Sequence, residues 1–224
     1  MRLSIIIPVL NEANTLPGLL AQLQAVRDAG VEVVVVDGDS DDESCAIAER
    51  AHVRVVRGAR GRARQMNAGA AAATGDVLLF LHADTVLPAN ALPAIANAGA
   101  GEHVCWGRFD VHIDGDHPML RIVAAMMNLR SRLTGIATGD QAMFMTRATF
   151  DKAGDFPDQP LMEDIELSRR LCRIARPVCL RERVVTSGRR WETRGVWRTI
   201  GLMWLLRAQY FFGVSPARLA ARYR

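Results

Sequence analysis

Lysine is nearly absent from the sequence. One residue of the 28 lysines and arginines is a lysine, Lys152, so arginine carries almost all the positive charge of a chain whose net charge is +4. A guanidinium pairs bidentately with phosphate oxygens, which an ammonium cannot do. The bias indicates phosphorylated ligands or anionic lipid, and a genome rich in G and C is the alternative source of the same bias. We expect no nucleic-acid partner.

Cysteines and long apolar runs are also scarce. The four cysteines, Cys45, Cys105, Cys172 and Cys179, form no CxxC pair and no metal-ligand spacing. A chain of 224 residues, half of them apolar, needs no disulfides, so we expect reduced thiols in a cytoplasmic protein. The opening MRLSIIIPVL is too short an apolar run for a signal peptide and predicts a first strand. No run reaches the roughly 18 uncharged apolar residues of a membrane span.

Short apolar runs alternate with helix-length stretches through the first hundred residues. The runs are 3–9, 31–37, 53–57 and 77–82. Strands that are apolar throughout and separated by helices are typical of a parallel sheet covered on both faces, which predicts an α/β fold. Ligands of such sheets bind outside the carboxyl ends of the strands. We therefore look for chemistry at 8–14, 37–42, 58–64 and 82–85.

The later part of the chain follows a different pattern. It predicts strands over 105–113 and 142–146, a Met-rich helix over 119–133 and a helix over 163–174 that opens with acids and ends with arginines. A strongly apolar helix is predicted over 196–212. The sequence contains no internal repeat and no low-complexity linker.

The first two strand ends are polar. After strand 3–9, Glu12 is suited to accept hydrogen bonds from ribose hydroxyls, or it caps a helix that Thr15 and Pro17 begin. After strand 31–37, "DGDSDDES" clusters carboxylates that repel one another unless donors meet them, which favours a base or ribose contact for Asp37 or Asp39. Asp41 and Asp42 suit the first turn of the next helix.

The next two strand ends carry basic and acidic groups. "RGARGRAR", residues 57–64, sets arginines around glycines, a pattern suited to a diphosphate or to a solvated basic surface. "VLLFLHADT", residues 77–85, is apolar until its end. If the strand continues, His82 and Asp84 project to the same side and offer a seat for a divalent cation. Imidazole is a better ligand for Mn²⁺ than for Mg²⁺. The alternative to a metal site is that Asp84 caps the following turn.

The order of these four strand ends resembles that of the family 2 glycosyltransferases with the GT-A fold. "GDQAMFMTRATFDKAGDFPDQPLMEDIELSRRL", residues 139–171, is similar to the acceptor-side segment of that family, which ends in a Glu-Asp pair opening a helix. The resemblance covers roughly residues 3–175. It implies a Rossmann-type three-layer α/β/α fold with a mostly parallel central sheet, and the chain adds a C-terminal helical arm.

The resemblance implies an inverting transfer of a sugar from a nucleotide diphosphate to an acceptor hydroxyl, assisted by Mg²⁺ or Mn²⁺. It places the donor at Pro8, Val9, Leu10, Glu12, Asp37, Asp39, Arg64, His82, Ala83, Asp84 and Arg190. It places the metal at Asp84 and His82, the catalytic carboxylates at Asp164 (general base) and Glu163, and the acceptor side at Gly139, Asp140, Gln141 and Trp191. Dipole complementarity at a helix start is the alternative role of Glu163 and Asp164.

Three positions depart from the family pattern. His82 stands where the family usually has Asp, Met66 rather than a basic residue precedes Asn67, and Gly154-Asp155-Phe156 replaces Gly-Gly-Phe. "SGRRWETRG", residues 187–195, is weakly similar to the RW-containing motif of processive members. On this basis we assign 1–100 to a nucleotide-binding half and 101–190 to an acceptor half of one domain, 1–190. The helical arm is 191–224.

Two other functions and three roles for the arm stay open. A sugar-phosphate nucleotidyltransferase is expected to carry a Gly-rich, Arg-containing loop after its first strand, where this chain has 8–14. A binding protein for nucleotide sugars or membrane surfaces would keep the fold without chemistry. The arm helix is apolar around most of its circumference, so it is buried, pairs with a second subunit, or lies on a bilayer with Arg198 and Arg207 at the headgroups. The last role would place the protein at the inner membrane surface.

Overall fold

The first strand of the chain runs parallel to both of its neighbours in an eight-stranded sheet of the computed structural model, which describes residues 2–99 and 106–223. The strands in this part of the chain are β1 (Leu3–Val9), β2 (Glu32–Asp37), β3 (Arg54–Arg57), β4 (Val77–Phe80), β5 (Thr85–Val86), β6 (Trp106–Asp114), β7 (Phe144–Thr146) and β8 (Val178–Ser187). The helices are α1 (Leu16–Gln22), α2 (Gln24–Asp28), α3 (Ser44–Arg50), α4 (Arg62–Ala72), α5 (Ala91–Ala98), α6 (Met119–Thr134), α7 (Arg147–Ala153), α8 (Glu163–Cys172), α9 (Arg189–Arg194), α10 (Val196–Phe211) and α11 (Pro216–Tyr223). A 3-10 helix covers Gly139–Gln141.

Strands β1, β2 and β4 are buried on both faces of the sheet, whereas β3, at its edge, is partly exposed. Ile5 and Ile7 of β1 belong to one core cluster, whereas Ile6 belongs to the cluster on the opposite face. Side chains alternate between the faces of a strand, so this division means that helices cover both sides. Strands β1 to β4 are mutually parallel in the order β3-β2-β1-β4, which brings their carboxyl ends to one edge. The α/β prediction is confirmed.

The complete sheet is mixed. Its order is β3-β2-β1-β4-β7-β6-β8-β5, and β7 pairs antiparallel with both β4 and β6. Strand β8 is parallel to β6 and antiparallel to β5. The prediction of a mostly parallel sheet therefore describes its first half better than its second. Antiparallel neighbours need no crossover helix between them, which lets the short β7 join the two halves.

Several elements differ from the sequence prediction. Strand β8 went unpredicted because Arg181, Glu182 and Arg183 interrupt its apolar pattern, and its burial is only partial. Helices α9 and α11 were also missed. Strand β4 ends at Phe80, and the Thr85 N–H donates to the His82 carbonyl 3.1 Å away. His82 and Asp84 therefore lie in a turn, so the argument from strand alternation for their common side was wrong.

A buried polar network anchors α6 to the sheet. The Arg108 side chain is fully buried on β6, donates to the Ser131 hydroxyl (3.0 Å) and pairs with Asp110. The second carboxylate oxygen of Asp110 accepts from Arg132 (2.7 Å). Asp110 therefore neutralises two arginines, one of them in the core.

Removing the Asp110 carboxylate is expected to destabilise the protein strongly. Asp110→Ala leaves Arg108 buried without its counter-charge, a type of change that costs about 3–5 kcal/mol. For a chain of this size, each kcal/mol lowers the thermal midpoint by about 2–4 °C. Asp116→Ala is the control, and calorimetry of both variants is the measurement. An unchanged midpoint in Asp110→Ala would contradict the role of this carboxylate.

The arm packs one side of α10 against the chain before α8. Leu206 and Leu219 are buried and form a small cluster with Met162. The opposite side is exposed: the accessible fractions of Trp197, Trp204, Phe211 and Phe212 are 67%, 65%, 81% and 82%. Complete burial of the apolar helix, one of the three roles left open, is thus excluded. No helix within 2–99 or 106–223 combines the length and apolarity needed to cross a membrane.

The cysteines that the structure describes are unpaired. Cys45, Cys172 and Cys179 are half-buried free thiols. Cys105, with the predicted start of its strand at 105, lies outside the described residues. The expected reduced state is consistent with these three positions.

Candidate active site

The loops after β1 and β2 are tied together by hydrogen bonds. Asn11 accepts from the Asp41 N–H through its side-chain oxygen (2.8 Å), and its own N–H donates to the Ser40 hydroxyl (3.0 Å). The Glu12 N–H donates to Ser44 (2.8 Å), and the Glu12 carboxylate accepts from the Thr15 hydroxyl (2.6 Å). The Glu12 carboxylate is thus bonded to Thr15, the residue before α1, while no side chain in the described part of the chain caps the first N–H groups of that helix.

Gln65 of α4 holds the same two loops in place, a role that the sequence does not indicate. Its amide nitrogen donates to the carbonyl oxygens of Val9 (2.7 Å) and Val36 (2.9 Å). The Val9 side chain points into the core, Pro8 is half-buried and Leu10 is at the surface. Buried amides that bind two backbone carbonyls hold their loops rigidly, so this edge of the sheet is preorganised.

Asp37 presents a buried acceptor at the end of β2. One carboxylate oxygen, Oδ2, accepts from the Ser40 N–H (3.2 Å). The other, Oδ1, is buried and has no partner in the ranges 2–99 and 106–223. Asp39 has a left-handed backbone (φ 67°), and its carbonyl accepts from Arg60 (3.1 Å). A buried oxygen without a donor is costly, so Asp37 is suited to meet a donor from a ligand.

The 3-10 helix Gly139–Gln141 contacts both His82 and α8. The Gly139 N–H donates to Asp164 Oδ2 (2.9 Å). A Cβ at Gly139 would lie 2.4 Å from the His82 ring, so only glycine fits here. Gln141 is fully buried, accepts from the Thr138 N–H (3.2 Å) and donates to Asn128 (3.3 Å). Gln141 therefore supports this segment rather than facing a ligand.

Both ring nitrogens of His82 are turned toward protein. Nδ1 lies 3.3 Å from the Asp140 carboxylate, and Nε2 is buried against Gly139 without a hydrogen-bond partner in the described sequence. Burial acts to raise the pKa of Asp140, but the hydrogen bond and charge of His82, with the charges of Arg62 and Arg190, lower it overall. Asp140 thus stays ionised, and His82 holds it in place.

Asp164 lies in the first turn of α8 and has an unusual affinity for protons. Burial and the neighbouring Glu163 raise the pKa of Asp164 to about 6, against the opposing N–H groups of Gly139 and Ile165 and the charge of Arg62. Met162, just before α8, has a left-handed backbone (φ 65°) and packs against Leu206 of the arm. A carboxylate that ionises near neutral pH is suited to general-base catalysis.

Arg62, rather than Arg64, faces the acids. Arg64 is engaged in a two-pronged pair with Asp158 (2.7 and 2.9 Å). Side chains two residues apart on a helix point in directions about 200° apart, so Arg62 projects from the opposite side of α4 to Arg64. It lies 3.5 Å from the buried Glu163 carboxylate. This helical geometry is the signal that would have separated the two arginines.

The charge on Arg62 links the two acids that the sequence singled out. Burial disfavours that charge, yet the pKa of Arg62 is raised, because negative charges surround it. In decreasing order of effect, these belong to Glu163, Asp140, Asp164 and Asp84. Asp84 and Asp164 are 80 residues apart in sequence and act on one guanidinium, so the fold brings them to one region.

A crevice opens beside this arginine. Its lining is Arg62, Met66, Phe80, His82, Gly139, Met143, Phe156, Glu163 and Asp164. Asp84 is not part of this lining, although its charge reaches Arg62. The buried Ala83 and the turn after it place Asp84 beside β8, where the Asp84 carbonyl accepts from the Ser187 N–H (3.2 Å).

Arg190 on α9 faces the same acids. Its guanidinium lies 4.0 Å from the centre of the Tyr223 ring, which holds it by a cation–π contact. Burial and the charges of Arg194 and Arg62 lower the pKa of Arg190, and Asp140 and Asp84 counter them only partly. Trp191 beside it packs against the main core.

The region of Asp84 is suited to a divalent cation that is bound jointly by the protein and a ligand. Within the part of the chain that the structure describes, no three His, Cys, Asp or Glu side chains form a metal-binding group. The Asp84 carboxylate accepts a hydrogen bond from Thr85 (3.3 Å) and keeps further lone pairs. Mg²⁺ is often bound by one or two carboxylates together with substrate phosphates and water. Asp84 suits that arrangement, whereas His82 has neither nitrogen open to a cation.

The protein is thus an α/β protein in which acids and arginines lie at the carboxyl ends of the parallel strands. The chain belongs to the family described as Glycosyl transferase family 2, whose model matches residues 4–153. It is 30% identical over 150 residues to the undecaprenyl-phosphate 4-deoxy-4-formamido-L-arabinose transferase of Sodalis glossinidius (strain morsitans), covering 62% of this chain and 46% of the relative. It is 33% identical over 107 residues to an uncharacterized glycosyltransferase of Mycobacterium tuberculosis (strain ATCC 25618 / H37Rv), covering 47% of each chain. The chain thus spans about half the length of these relatives.

Solved structures share the fold. S. aureus TarS 1–349 in complex with UDP superposes with a TM-score of 0.67 at 21% identity, covering 84% of this chain and 60% of that one. The glucosyl-3-phosphoglycerate synthase of M. tuberculosis in complex with Mg²⁺ and UDP gives 0.61 at 18% identity, covering 83% and 70%. The predicted GT-A-like fold is confirmed, with the mixed sheet described above.

Proposed function

We propose that this protein is an inverting glycosyltransferase that moves a sugar from a nucleotide diphosphate to an acceptor hydroxyl. The observation that carries the proposal is the set of contacts that joins the loop of Asp84 to Asp164: His82, two residues before Asp84, pairs with Asp140, and the Gly139 N–H donates to Asp164. One acid serves the diphosphate and the other serves the acceptor. An arginine shared between them keeps both carboxylates in one charged region, where bond breaking and proton removal have to occur together.

The donor is a uridine diphosphate sugar in this proposal. TarS and the glucosyl-3-phosphoglycerate synthase, which share the fold, have been crystallised with UDP. The buried Asp37 Oδ1 lacks a donor, and a nucleobase N–H would supply one. The rigid loops that Gln65 holds would bind the nucleoside without first being ordered, which reduces the entropy lost on binding.

The chemistry follows from charges at the two ends of the reaction. A divalent cation at Asp84, Mg²⁺ or Mn²⁺, would supply positive charge against the leaving diphosphate. Arg190 adds a half-buried guanidinium that the protein neutralises only in part. Asp164 takes the proton of the attacking hydroxyl. In a single displacement, the sugar then leaves the diphosphate with its anomeric configuration inverted.

Thermal shift with nucleotides tests the donor and metal assignment. UDP is expected to raise the midpoint more with Mg²⁺ or Mn²⁺ than without, because a ligand that binds only the folded state stabilises it by mass action. Asp84→Ala should remove the metal-dependent part of that increase. Asp151→Ala, which changes an exposed aspartate on α7, is the control and should keep it. A metal-dependent increase that survives Asp84→Ala would refute the role of Asp84.

We further propose that the arm lies on an anionic bilayer surface, on the cytoplasmic side. The exposed face of α10 presents Trp197, Trp204 and Phe211. Residues 189–224 carry eight arginines against one glutamate, so this segment is far more basic than the rest of the chain. Aromatic side chains beside arginines are typical of helices that bind at the membrane interface. Pairing with a second copy is the competing role, and binding to anionic vesicles separates the two.

A further inference from the structure

Two of the three guanidinium nitrogens of the half-buried Arg130, near the end of α6, are buried without a partner. Its Nε and Nη2 atoms are both inaccessible to solvent, and neither finds a hydrogen-bond acceptor within the part of the chain that the structure describes. Burying charged donors without acceptors is among the costliest arrangements in a folded protein. A ligand that supplies the missing acceptor would offset that cost.

Neighbouring arginines do not share this property. Arg108 donates to Ser131 (3.0 Å) and to the Asn128 carbonyl (3.2 Å). Arg132 donates to Asp110 (2.7 Å) and to the Cys179 carbonyl (3.1 Å). Helix α6 and the sheet thus satisfy the arginines around Arg130 and leave the Nε–Nη2 edge of Arg130 unpaired. That edge is the one that binds two oxygens of a phosphate or carboxylate side by side.

The position of Arg130 relates it to the acceptor end of the site. Burial lowers the pKa of Arg130, and the opposing effect of Asp164 is the largest one that supports its charge. The same balance is found at Arg190, where Asp140 and Asp84 provide the support. Each of these arginines is a cation that the protein neutralises incompletely. Asp140 supports the charge of both arginines, whereas Asp84 acts on Arg190 and Asp164 acts on Arg130.

We propose that Arg130 forms an acceptor subsite that binds a phosphate monoester group of the acceptor. This inference rests on the proposed function, and it adds the chemical class of the second substrate. A phosphate held at the unpaired edge of Arg130 would bring the acceptor beside Asp164. The phosphate belongs either to a soluble metabolite or to the headgroup of a lipid, and the chemistry at Arg130 is the same for both.

Binding of glycerol 3-phosphate to protein saturated with UDP and Mg²⁺ tests the soluble form. Saturation fills the diphosphate site, so a second phosphate has to bind elsewhere. Titration calorimetry should show binding to the wild type and a loss of affinity of about tenfold or more in Arg130→Met, since the variant loses its hydrogen bonds to a charged group. Arg121→Met, which changes an exposed arginine on the same helix, should bind as the wild type does.

Neutral phosphatidylcholine vesicles with and without farnesyl phosphate test the lipid form with the same variants. Preferential binding to the phosphate-bearing vesicles that Arg130→Met abolishes would assign the lipid source. If Arg130→Met changes neither glycerol 3-phosphate binding nor this preference, the subsite does not exist. UDP binding is measured separately, so a protein that binds glycerol 3-phosphate through Arg130 but never binds a nucleotide would refute the glycosyltransferase proposal alone.

The stability of the ligand-free variant distinguishes a binding role from a structural one. An arginine that holds the fold together would lower the thermal midpoint when removed. Because the buried nitrogens of Arg130 contact no acceptor, Arg130→Met should leave the midpoint unchanged or raise it. A fall of several degrees together with unaltered phosphate binding would overturn the inference.

Discussion

Replacing Asp164 by Asn is expected to lower sugar transfer or donor hydrolysis at least about a hundredfold, the usual contribution of a general base. The amide keeps the size of the side chain but cannot take a proton from the attacking hydroxyl. Release of UDP from the sugar nucleotide with the largest thermal shift measures the rate, with water as acceptor until another is known. Donor binding should persist in the variant.

Glu166→Gln is the matched control for this experiment. It makes the same chemical change two residues later on α8, at a carboxylate that pairs with Arg169 and Arg170 rather than lining the crevice. Its rate should stay within about twofold of the wild type, since surface ion pairs on helices contribute little. Full activity in Asp164→Asn would move the general base to another residue.

The pH dependence of the rate follows from the same carboxylate. A base acts only when it is ionised, and an ordinary aspartate would remain so down to about pH 4. Because burial and Glu163 raise the pKa of Asp164 to about 6, protonation begins at higher pH. The rate should be level above about pH 7 and fall through about pH 6, tenfold per unit below it. Asp164→Asn should lack this acid limb.

Sequence alone was sufficient for the parallel half of the sheet because its strands are apolar on both faces. Strand β1 has the predicted bounds, 3–9, and β2 differs by one residue at its start. Strand β8 could not be found in this way, since it is half-exposed and its central charges face solvent. A local hydrophobic pattern identifies a strand when both of its faces are buried, and fails to identify it when one face is exposed to solvent.

The sequence singles out the acids of the candidate site, whereas it does not single out the arginines that lie near them. Asp84 and Asp164 stand out at a strand end and a helix start, and the family pattern includes both. Arg62 is one of four arginines set around the glycines of 57–64, and nothing in the pattern separates it from the other three, whereas Arg130 is an ordinary helix arginine. Their importance arises from a buried carboxylate that faces one and from the missing acceptors of the other. Both facts depend on contacts between segments distant in sequence, which no local pattern encodes.

Substituting two exposed aromatic residues of α10 is expected to abolish binding to anionic vesicles. Burying one large apolar side chain contributes about 1.5–3 kcal/mol, so Trp204→Ser with Phe211→Ser should weaken partitioning at least about a hundredfold. Flotation with vesicles of phosphatidylcholine and phosphatidylglycerol measures it. Both side chains are mostly exposed, so the double variant should keep its thermal midpoint.

Charge and oligomeric state decide between a membrane and a second subunit as the partner of the arm. A surface-bound arm rich in arginine should bind anionic vesicles more tightly than neutral ones and lose affinity as salt screens the lipid charge. Leu133→Ser, which changes an equally exposed apolar residue on α6, should bind as the wild type does. The exposed face of α10 is a subunit interface if the wild type does not bind vesicles and sediments as a dimer, and if only the Trp204 and Phe211 double variant is monomeric. Sedimentation velocity on the same three proteins therefore completes the test, because a bilayer contact requires no dimer and a dimer requires no lipid.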